Sequence, residues 1–310
     1  MRYLWLIAVL TLPCPGYDLT GRINPPGAVA VSLHGAVAPF ESSTVSDEDG
    51  RFQFHKIPAG TYTLVISTAA RGDVVQTVEL SSGTVDSKGR LDIALRVDAA
   101  TLEVEGGRGT GATVSTTVLS ISDRASKEYE EAQHCLERRD SACAATRLRH
   151  ALEIAPSFTA AWNQLGTIAY QAYQFGDAEA DFRQALEADP DAFEPLVNLG
   201  GVLLNLGRAR EALGYNQRAA ARRPNDALAN SQLGLAYFDL KDPELAEKYL
   251  KIAIRLDPAH FSHPQLTLAA IYVERGDRAG AIEEWRDFLS RHPDSPGAAG
   301  VREKIAEMSR

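Results

Sequence analysis

Apolar and small residues recur through the second half of the chain at the spacing of amphipathic helices. Between 159 and 190 the apolar positions predict two helices, the first with Gly166 and the second with Ala178 and Phe182 on its buried side. Residues 175–177 are predicted to form the turn between them. The pattern returns every 34 residues, at Leu199 and Gly200 and again at Leu233 and Gly234. A fixed period of this length predicts stacked helical hairpins.

Seven residues of this segment carry a resemblance to a known family: Trp162, Leu165, Gly166, Ala178, Phe182, Ala185 and Pro190. With these residues the segment resembles the tetratricopeptide repeat. The resemblance implies five repeats, of which the first is diverged because Glu131 stands where the family has leucine. They span 125–156, 159–190, 193–224, 227–258 and 262–293, and a capping helix follows at 296–310. The expected fold of this part is an all-α superhelix over 124–293.

The pattern between 17 and 98 has a period of two instead. Apolar and polar residues alternate in short runs that turn sequences separate, so the segment is predicted to be a seven-stranded β-sandwich. The strands are expected near Leu19, Val29, Ser43, Phe52, Tyr62, Val75 and Ile93. Asp49-Gly50 supplies a hairpin turn, because glycine adopts positive φ without strain. The fold class is therefore multidomain β + α.

A second resemblance rests on Asp49-Gly50-Arg51-Phe52-Gln53-Phe54 followed by Ile57-Pro58-Ala59-Gly60-Thr61-Tyr62. This part resembles the carboxypeptidase regulatory-like domain. The resemblance implies a transthyretin-like sandwich, classed with carbohydrate-binding-like folds, and says little about function. Residues 99–123 are a predicted linker with six residues, 106–111, that are rich in glycine.

The first 16 residues have the layout of a signal peptide, because one arginine precedes an apolar run that Pro13 and Pro15 end. We expect cleavage near Gly16 and export to the periplasm or the medium, with no membrane span in the mature chain. Cys14 raises lipoprotein anchoring as the less favoured alternative, because proline precedes it. Cys135 and Cys143 then remain, and they are either a disulfide across the first helical turn or two buried small residues.

Charge and motifs exclude several kinds of chemistry. A formal net charge of -9 argues against nucleic acid as a partner. His134 and Glu137 have a spacing found in zinc carboxypeptidases, but they lie in a helical repeat without a suitable third ligand. His260 and His263 lack a completing cysteine or carboxylate cluster. We therefore expect no enzyme activity, no metal and no cofactor.

The remaining candidate site is the surface of the first helix of each repeat, which should line the concave side of the superhelix. An apolar column and a polar column run along it at the repeat interval. The predicted partner-binding residues are Asn163, Tyr170, Gln171, Leu204, Asn205, Phe238, Asp239, Val273 and Glu274. The alternative is that the apolar members only pack between neighbouring helices.

The sequence thus predicts an exported, non-enzymatic scaffold that binds a protein or peptide in the groove of the repeats, with the sandwich as an accessory or docking module. The groove should suit a peptide with alternating apolar residues and some lysine or arginine. The alternative function is binding of carbohydrate or cell wall through the β-sandwich.

Overall fold

A computed structural model of the chain describes residues 16–36, 38–68, 72–96 and 121–310. The predicted signal peptide, except Gly16, and most of the predicted linker lie outside these residues. The described part begins with strands and continues with helices. The strands are β1 (Tyr17–Asn24), β2 (Ala30–Gly35), β3 (Glu41–Val45), β4 (Arg51–Ile57), β5 (Gly60–Thr68), β6 (Gly72–Leu80) and β7 (Arg90–Arg96).

The strands form two sheets that share one hydrophobic core. The three-stranded sheet has the order β4-β1-β7, with β1 antiparallel to β4 and parallel to β7, and the four-stranded sheet has the order β3-β2-β5-β6. The period of two explains the core, because alternate residues of a strand point to opposite faces. In β4, for example, Phe52 and Phe54 are buried while Gln53 and His55 are exposed. The turn at Asp49-Gly50 has the expected positive φ at Gly50, 75°.

Eleven helices follow in the described part of the chain. They are α1 (Asp123–Glu137), α2 (Ser141–Ile154), α3 (Thr159–Gln171), α4 (Phe175–Ala188), α5 (Phe193–Asn205), α6 (Ala209–Arg222), α7 (Ala227–Asp239), α8 (Pro243–Leu256), α9 (Pro264–Glu274), α10 (Arg278–Arg291) and α11 (Ala298–Met308). The first ten pack as consecutive pairs, and α11 packs on α10. Five of the described helices begin after a residue whose side chain caps them. The Ser122 side chain, for example, accepts a hydrogen bond from the Ala125 N–H and so caps α1.

Close approach within a pair depends on small residues, as the sequence predicts. A Cβ added at Gly166 would lie only 2.7 Å from Cε1 of Phe182, so glycine lets the Phe182 ring lie against α3. Phe182 is fully buried and Ala178 lies beside it. The predicted turn at 175–177 is wrong, because α4 already begins at Phe175. The turn consists of residues 172–174, with Tyr173 at a φ of 60°.

The helices α1, α3, α5, α7 and α9 are the first members of their pairs, and consecutive members from α3 to α9 contact each other. We call the surface that these five helices share the first-helix face. From the sequence, we expect this face to be open to a partner. Instead, the four-stranded sheet lies across part of it.

Two ends of the sheet contact the helices through different groups. At one end, β3 packs against α1, and Gln171 donates from Nε2 to the Gly35 carbonyl oxygen at 3.0 Å. At the other end, the carboxylate of Asp257, which follows α8, accepts the N–H of Thr77 in β6 at 2.8 Å. Both residues of this second contact are buried.

The turn after β6 is held by residues that follow α10. Oδ2 of Asp294 accepts the Ser81 hydroxyl at 2.9 Å and the Gly83 N–H at 3.1 Å. Nδ1 of the buried His292 lies 3.2 Å from Oε2 of Glu79. The sheet and the helices therefore form a single arrangement in which the first-helix face is partly covered.

Candidate partner-binding site

A cavity of about 690 Å³ lies between the four-stranded sheet and the first-helix face. We call it the interdomain cavity. The sheet contributes side chains that point away from its own core, among them His34, Glu41, Thr63, Val65 and Val75. The helices contribute mainly the first and middle turns of α3, α5 and α7. The volume lies in the range of pockets that bind ligands in proteins.

Three amide side chains form the most regular feature of the cavity wall. Gln164, Asn198 and Gln232 occupy equivalent positions on α3, α5 and α7, 34 residues apart, and all three line the cavity. We call them the amide column. Asn198 donates from Nδ2 to Oδ1 of Asn163 at 3.0 Å. Gln232 is 9% exposed, and its Oε1 has no hydrogen-bond partner among the described residues.

Aromatic side chains lie between these polar groups. The ring of Tyr129 packs against that of Phe158, with centroids 5.1 Å apart, and both line the cavity. Phe193 lies under the guanidinium of Arg223, whose Cζ is 4.0 Å from the ring centroid. Aromatic faces beside amides can hold an organic ligand by stacking and by hydrogen bonds together.

The electrostatic environment of the cavity is acidic. Burial raises the pKa of Glu41, and the nearby Glu137 raises it further, while His34 acts in the opposite direction. Burial also raises the pKa of the Tyr129 hydroxyl, and the negative charges of Glu41 and Glu194 raise this pKa further. The shift at Glu41 indicates a carboxylate held where water compensates its charge poorly, whereas the shift at Tyr129 mainly reflects burial of its own hydroxyl.

The acidic residue at the start of α7 has a structural partner. Oδ1 of Asp226 accepts the Ala229 N–H at 2.8 Å and so caps the helix. Burial raises the pKa of Asp226, while the Ala229 N–H and Arg223 act against the rise.

The structure places three of the predicted site residues at the cavity. Asn163, Tyr170 and Gln171 line it. Gln171 already bonds to Gly35, and the Tyr170 hydroxyl accepts from Nδ2 of Asn205 at 3.1 Å.

The other predicted site residues lie outside the cavity lining. They are Leu204, Asn205, Phe238, Asp239, Val273 and Glu274. Leu204 and Phe238 are partly buried in helix cores, and Val273 is 38% exposed. These residues do not line the cavity because they lie at the ends of α5, α7 and α9, whereas the cavity follows the earlier turns of α5 and α7.

Sequence reasoning missed the amide column and Glu41. The column had a detectable signal, since three amides recur at the interval of the repeats. Glu41 had none, because only the docking of the sheet brings β3 to the helices.

The two cysteines of the first pair are joined as a disulfide in the structure, with Cα atoms 5.8 Å apart. Cys135 is buried in the last turn of α1, and Cys143 lies in the first turn of α2. The bond therefore ties the two helices of the most diverged pair across their turn.

The candidate metal residues do not gather into a site. His134 and Glu137 are exposed on α1 and bond to each other, Nδ1 to Oε2, at 3.1 Å. In the described residues, no group of three or more His, Cys, Asp or Glu side chains could hold a metal ion. A search of the same residues finds no helix whose length and hydropathy would let it cross a membrane.

Comparison with known families identifies the helical part. A tetratricopeptide repeat model matches residues 129–193, 163–227 and 197–261, and a second model of the same repeat matches residues 265–295. Together the matches cover more than half of the chain, so the chain belongs to the tetratricopeptide repeat proteins. Proteins of this family are in general non-enzymatic scaffolds for interactions between proteins.

Two curated proteins show similarity in sequence. The chain is 24% identical over 184 residues to anaphase-promoting complex subunit 3 of Schizosaccharomyces pombe, covering 59% of this chain and 26% of that protein. It is 32% identical over 115 residues to the cell division cycle protein 16 homolog of Homo sapiens, covering 34% of this chain and 18% of that protein. The matched segments thus span about a quarter or less of these relatives.

Solved structures show the same fold for the helices. MamA from residue 41 to its end, from Desulfovibrio magneticus RS-1, superposes with a TM-score of 0.50 at 23% identity, covering 57% of this chain and 99% of that chain. PilW, described as a widely conserved type IV pilus biogenesis factor, gives a TM-score of 0.52 at 24% identity, covering 60% of this chain and 91% of that chain.

Proposed function

We propose that this chain is an exported, non-enzymatic scaffold that binds a segment of a partner protein in the interdomain cavity. In this proposal the helices form five repeats with a capping helix. The strands form a sandwich of the carboxypeptidase regulatory-like type, which acts as an accessory module because it supplies one wall of the site. Membership of the tetratricopeptide repeat family supports the choice of a protein as partner.

The observation that carries the proposal is the amide column. Each side-chain amide offers both a donor and an acceptor, and a polypeptide backbone offers the complementary pair at every residue. Gln164, Asn198 and Gln232 repeat along successive helices, so they can bind an extended segment at several points. The predicted residues Asn163, Tyr170 and Gln171 extend the same surface toward the end of α3.

The proposal that the chain is exported rests on the proposed signal peptide. The Cys135–Cys143 disulfide agrees with it, because such bonds persist in oxidising compartments. The periplasm or the medium is therefore the proposed location. Lipoprotein anchoring through Cys14 stays the less favoured alternative.

The carbohydrate alternative finds less support in the described strands. Sugar sites commonly use exposed aromatic faces, but Phe52, Phe54 and Tyr62 are each 4% exposed or less. Their rings belong to the core of the two sheets and cannot stack on a sugar.

Site-specific photo-crosslinking in the intact chain tests the proposal. A photoreactive amino acid replaces Gln164 in the cavity, and in the control it replaces Glu303, which is exposed on α11. We expect a crosslink to a polypeptide in an envelope extract from position 164 and none from 303. Equal crosslinking from both positions, or crosslinks to polysaccharide alone, would refute the proposal.

A further inference from the structure

The charges that line the interdomain cavity do not balance. Glu41, Asp189, Glu194 and Asp226 are acidic, whereas Arg223 is the one Lys or Arg side chain among the described lining residues. Arg223 is already occupied, because its Nη2 lies 2.9 Å from Oε1 of Glu194. A ligand that enters the cavity therefore meets an excess of negative charge.

Glu41 is the carboxylate with the weakest partners. Its side chain is 19% exposed, and Nδ1 of His34 is 3.8 Å from its Oε1, which is longer than a hydrogen bond. Nε2 of Gln133 is 3.5 Å away, at the limit for such a bond. A largely buried carboxylate with so little compensation gains strongly from a cation beside it.

The aromatic residues near Glu41 favour the same kind of ligand. Tyr129 lines the cavity together with Glu41 and lies on α1, which β3 contacts, and its ring pairs with that of Phe158. Aromatic faces attract ammonium and guanidinium groups, most strongly where water is excluded. This end of the cavity thus combines a carboxylate with two rings.

Gln232 gives an independent sign of a missing ligand group. It is 9% exposed, lines the cavity, and has an Oε1 without a partner, while its own backbone carbonyl accepts Nδ2 of Asn216 at 3.2 Å. A buried acceptor without a donor is costly, and the Gln232 amide can recover that cost by turning its Oε1 toward a donor that a ligand places in the cavity. A backbone N–H of an extended segment is such a donor.

We infer that the interdomain cavity selects an extended polypeptide segment that carries a lysine or arginine side chain. Glu41 receives the cationic group beside the paired rings of Tyr129 and Phe158, and the side-chain amide of Gln232 turns so that its Oε1 receives a backbone N–H. The inference rests on the proposed function and adds the chemistry of the partner. A carbohydrate could donate hydroxyl groups to both Gln232 and Glu41, but it would bring no positive charge to Glu41.

Selection from a displayed library of random heptapeptides, with the intact chain as bait, tests this inference. The variants are Glu41→Gln, which keeps the shape but removes the charge, and Gln232→Leu, which removes the acceptor. Glu48→Gln is the matched control, because Glu48 is exposed in the same β domain and lies away from the cavity. Unchanged thermal unfolding verifies that each variant is folded.

We expect the wild type and Glu48→Gln to enrich peptides with Lys or Arg at one position. The selected peptide should bind Glu41→Gln about tenfold more weakly, as one lost charge pair implies. Gln232→Leu should weaken the binding of the selected peptide. It should weaken by the same factor the binding of a second peptide in which the lysine is replaced by glutamine.

Peptides that bind in the cavity without preference for a basic residue would overturn the inference and leave the proposed function standing. The same holds if Glu41→Gln binds the selected peptide as well as the wild type does. Failure to enrich any peptide would also overturn the inference, and the crosslinking experiment then decides the proposed function separately.

Discussion

Replacing Gly166 by alanine tests the close packing of α3 on α4. The added Cβ would lie 2.7 Å from Cε1 and 2.8 Å from Cδ1 of Phe182, which is closer than carbon atoms pack in proteins. Phe182 is 1% exposed, so neighbouring atoms surround its ring on nearly all sides. Either the ring or the helix must shift, and both belong to a packed core.

The size of the effect follows from two opposing contributions. Extra volume in a well-packed core costs about 1–3 kcal/mol. Alanine in place of glycine within a helix returns about 0.5–1 kcal/mol. We therefore expect Gly166→Ala to lower the free energy of unfolding by up to about 2.5 kcal/mol, with a central value of about 1 kcal/mol, measured by urea denaturation with circular dichroism.

The chain offers a matched control at Gly214. This glycine is exposed inside α6, and a Cβ there would meet nothing within 4 Å. Gly214→Ala should therefore raise the free energy of unfolding by about 0.5–1 kcal/mol, because only the helix propensity changes. If Gly166→Ala stabilised the protein as Gly214→Ala does, the packing argument would be refuted.

Three further predictions concern the disulfide, the contact between sheet and helices, and acid stability. Cys143→Ser opens a disulfide between residues eight apart in sequence, so urea denaturation should show a loss of about 2.5 kcal/mol in the free energy of unfolding, and reductant should destabilise the wild type alone. Asp294→Ala removes the acceptor of the Gly83 N–H, so hydrogen exchange of that amide should accelerate at an unchanged midpoint of thermal unfolding; an unchanged exchange rate would contradict the contact. Burial, aided by neighbouring histidines, lowers the pKa of His260 to about 3, so the unfolded chain, with a histidine pKa of about 6.5, binds more protons below that pH. The contribution of the neutral, buried His260 to the free energy of unfolding is therefore essentially complete above about pH 6.5. About 2 kcal/mol of this contribution is lost as the pH falls from 7 to 5. His260→Gln should reduce the fall in unfolding free energy over that range by this amount, and an equal fall in wild type and variant would show the reasoning to be wrong.

Local patterns were sufficient to predict the elements of this fold. The alternation of apolar and polar residues predicted that Phe52 and Phe54 lie in the core. The pattern of the helical repeat predicted that Gly166 lies against Phe182. These predictions succeed because strand and helix periodicity depend on neighbours within one element or one pair. The start of α4 was missed by three residues, because the predicted turn ended at residue 177 and the helix begins at Phe175. The sequence suggested a turn at Gly176, whereas Tyr173 adopts the positive φ instead.

The site was predicted less well, for a reason that is not local. The sequence indicates which residues lie on the first helices, but it does not show that the four-stranded sheet covers part of them. Contacts such as that of Asp257 with Thr77 join residues far apart in the chain and leave no periodic signal. The predicted column therefore ran through Leu204 and Phe238, while docking of the sheet created the cavity at Gln164, Asn198 and Gln232.

The parallel pairing of β1 with β7 has a consequence for the order in which the chain acquires its structure. Each helical pair is formed by neighbours in sequence, so it can assemble as soon as both of its helices have left the ribosome. The three-stranded sheet must wait until a strand ending at Arg96 returns to one starting at Tyr17. We therefore expect truncation after β6 to leave β1 without a neighbour on one side, so that an early stop in synthesis yields an unfinished and aggregation-prone edge.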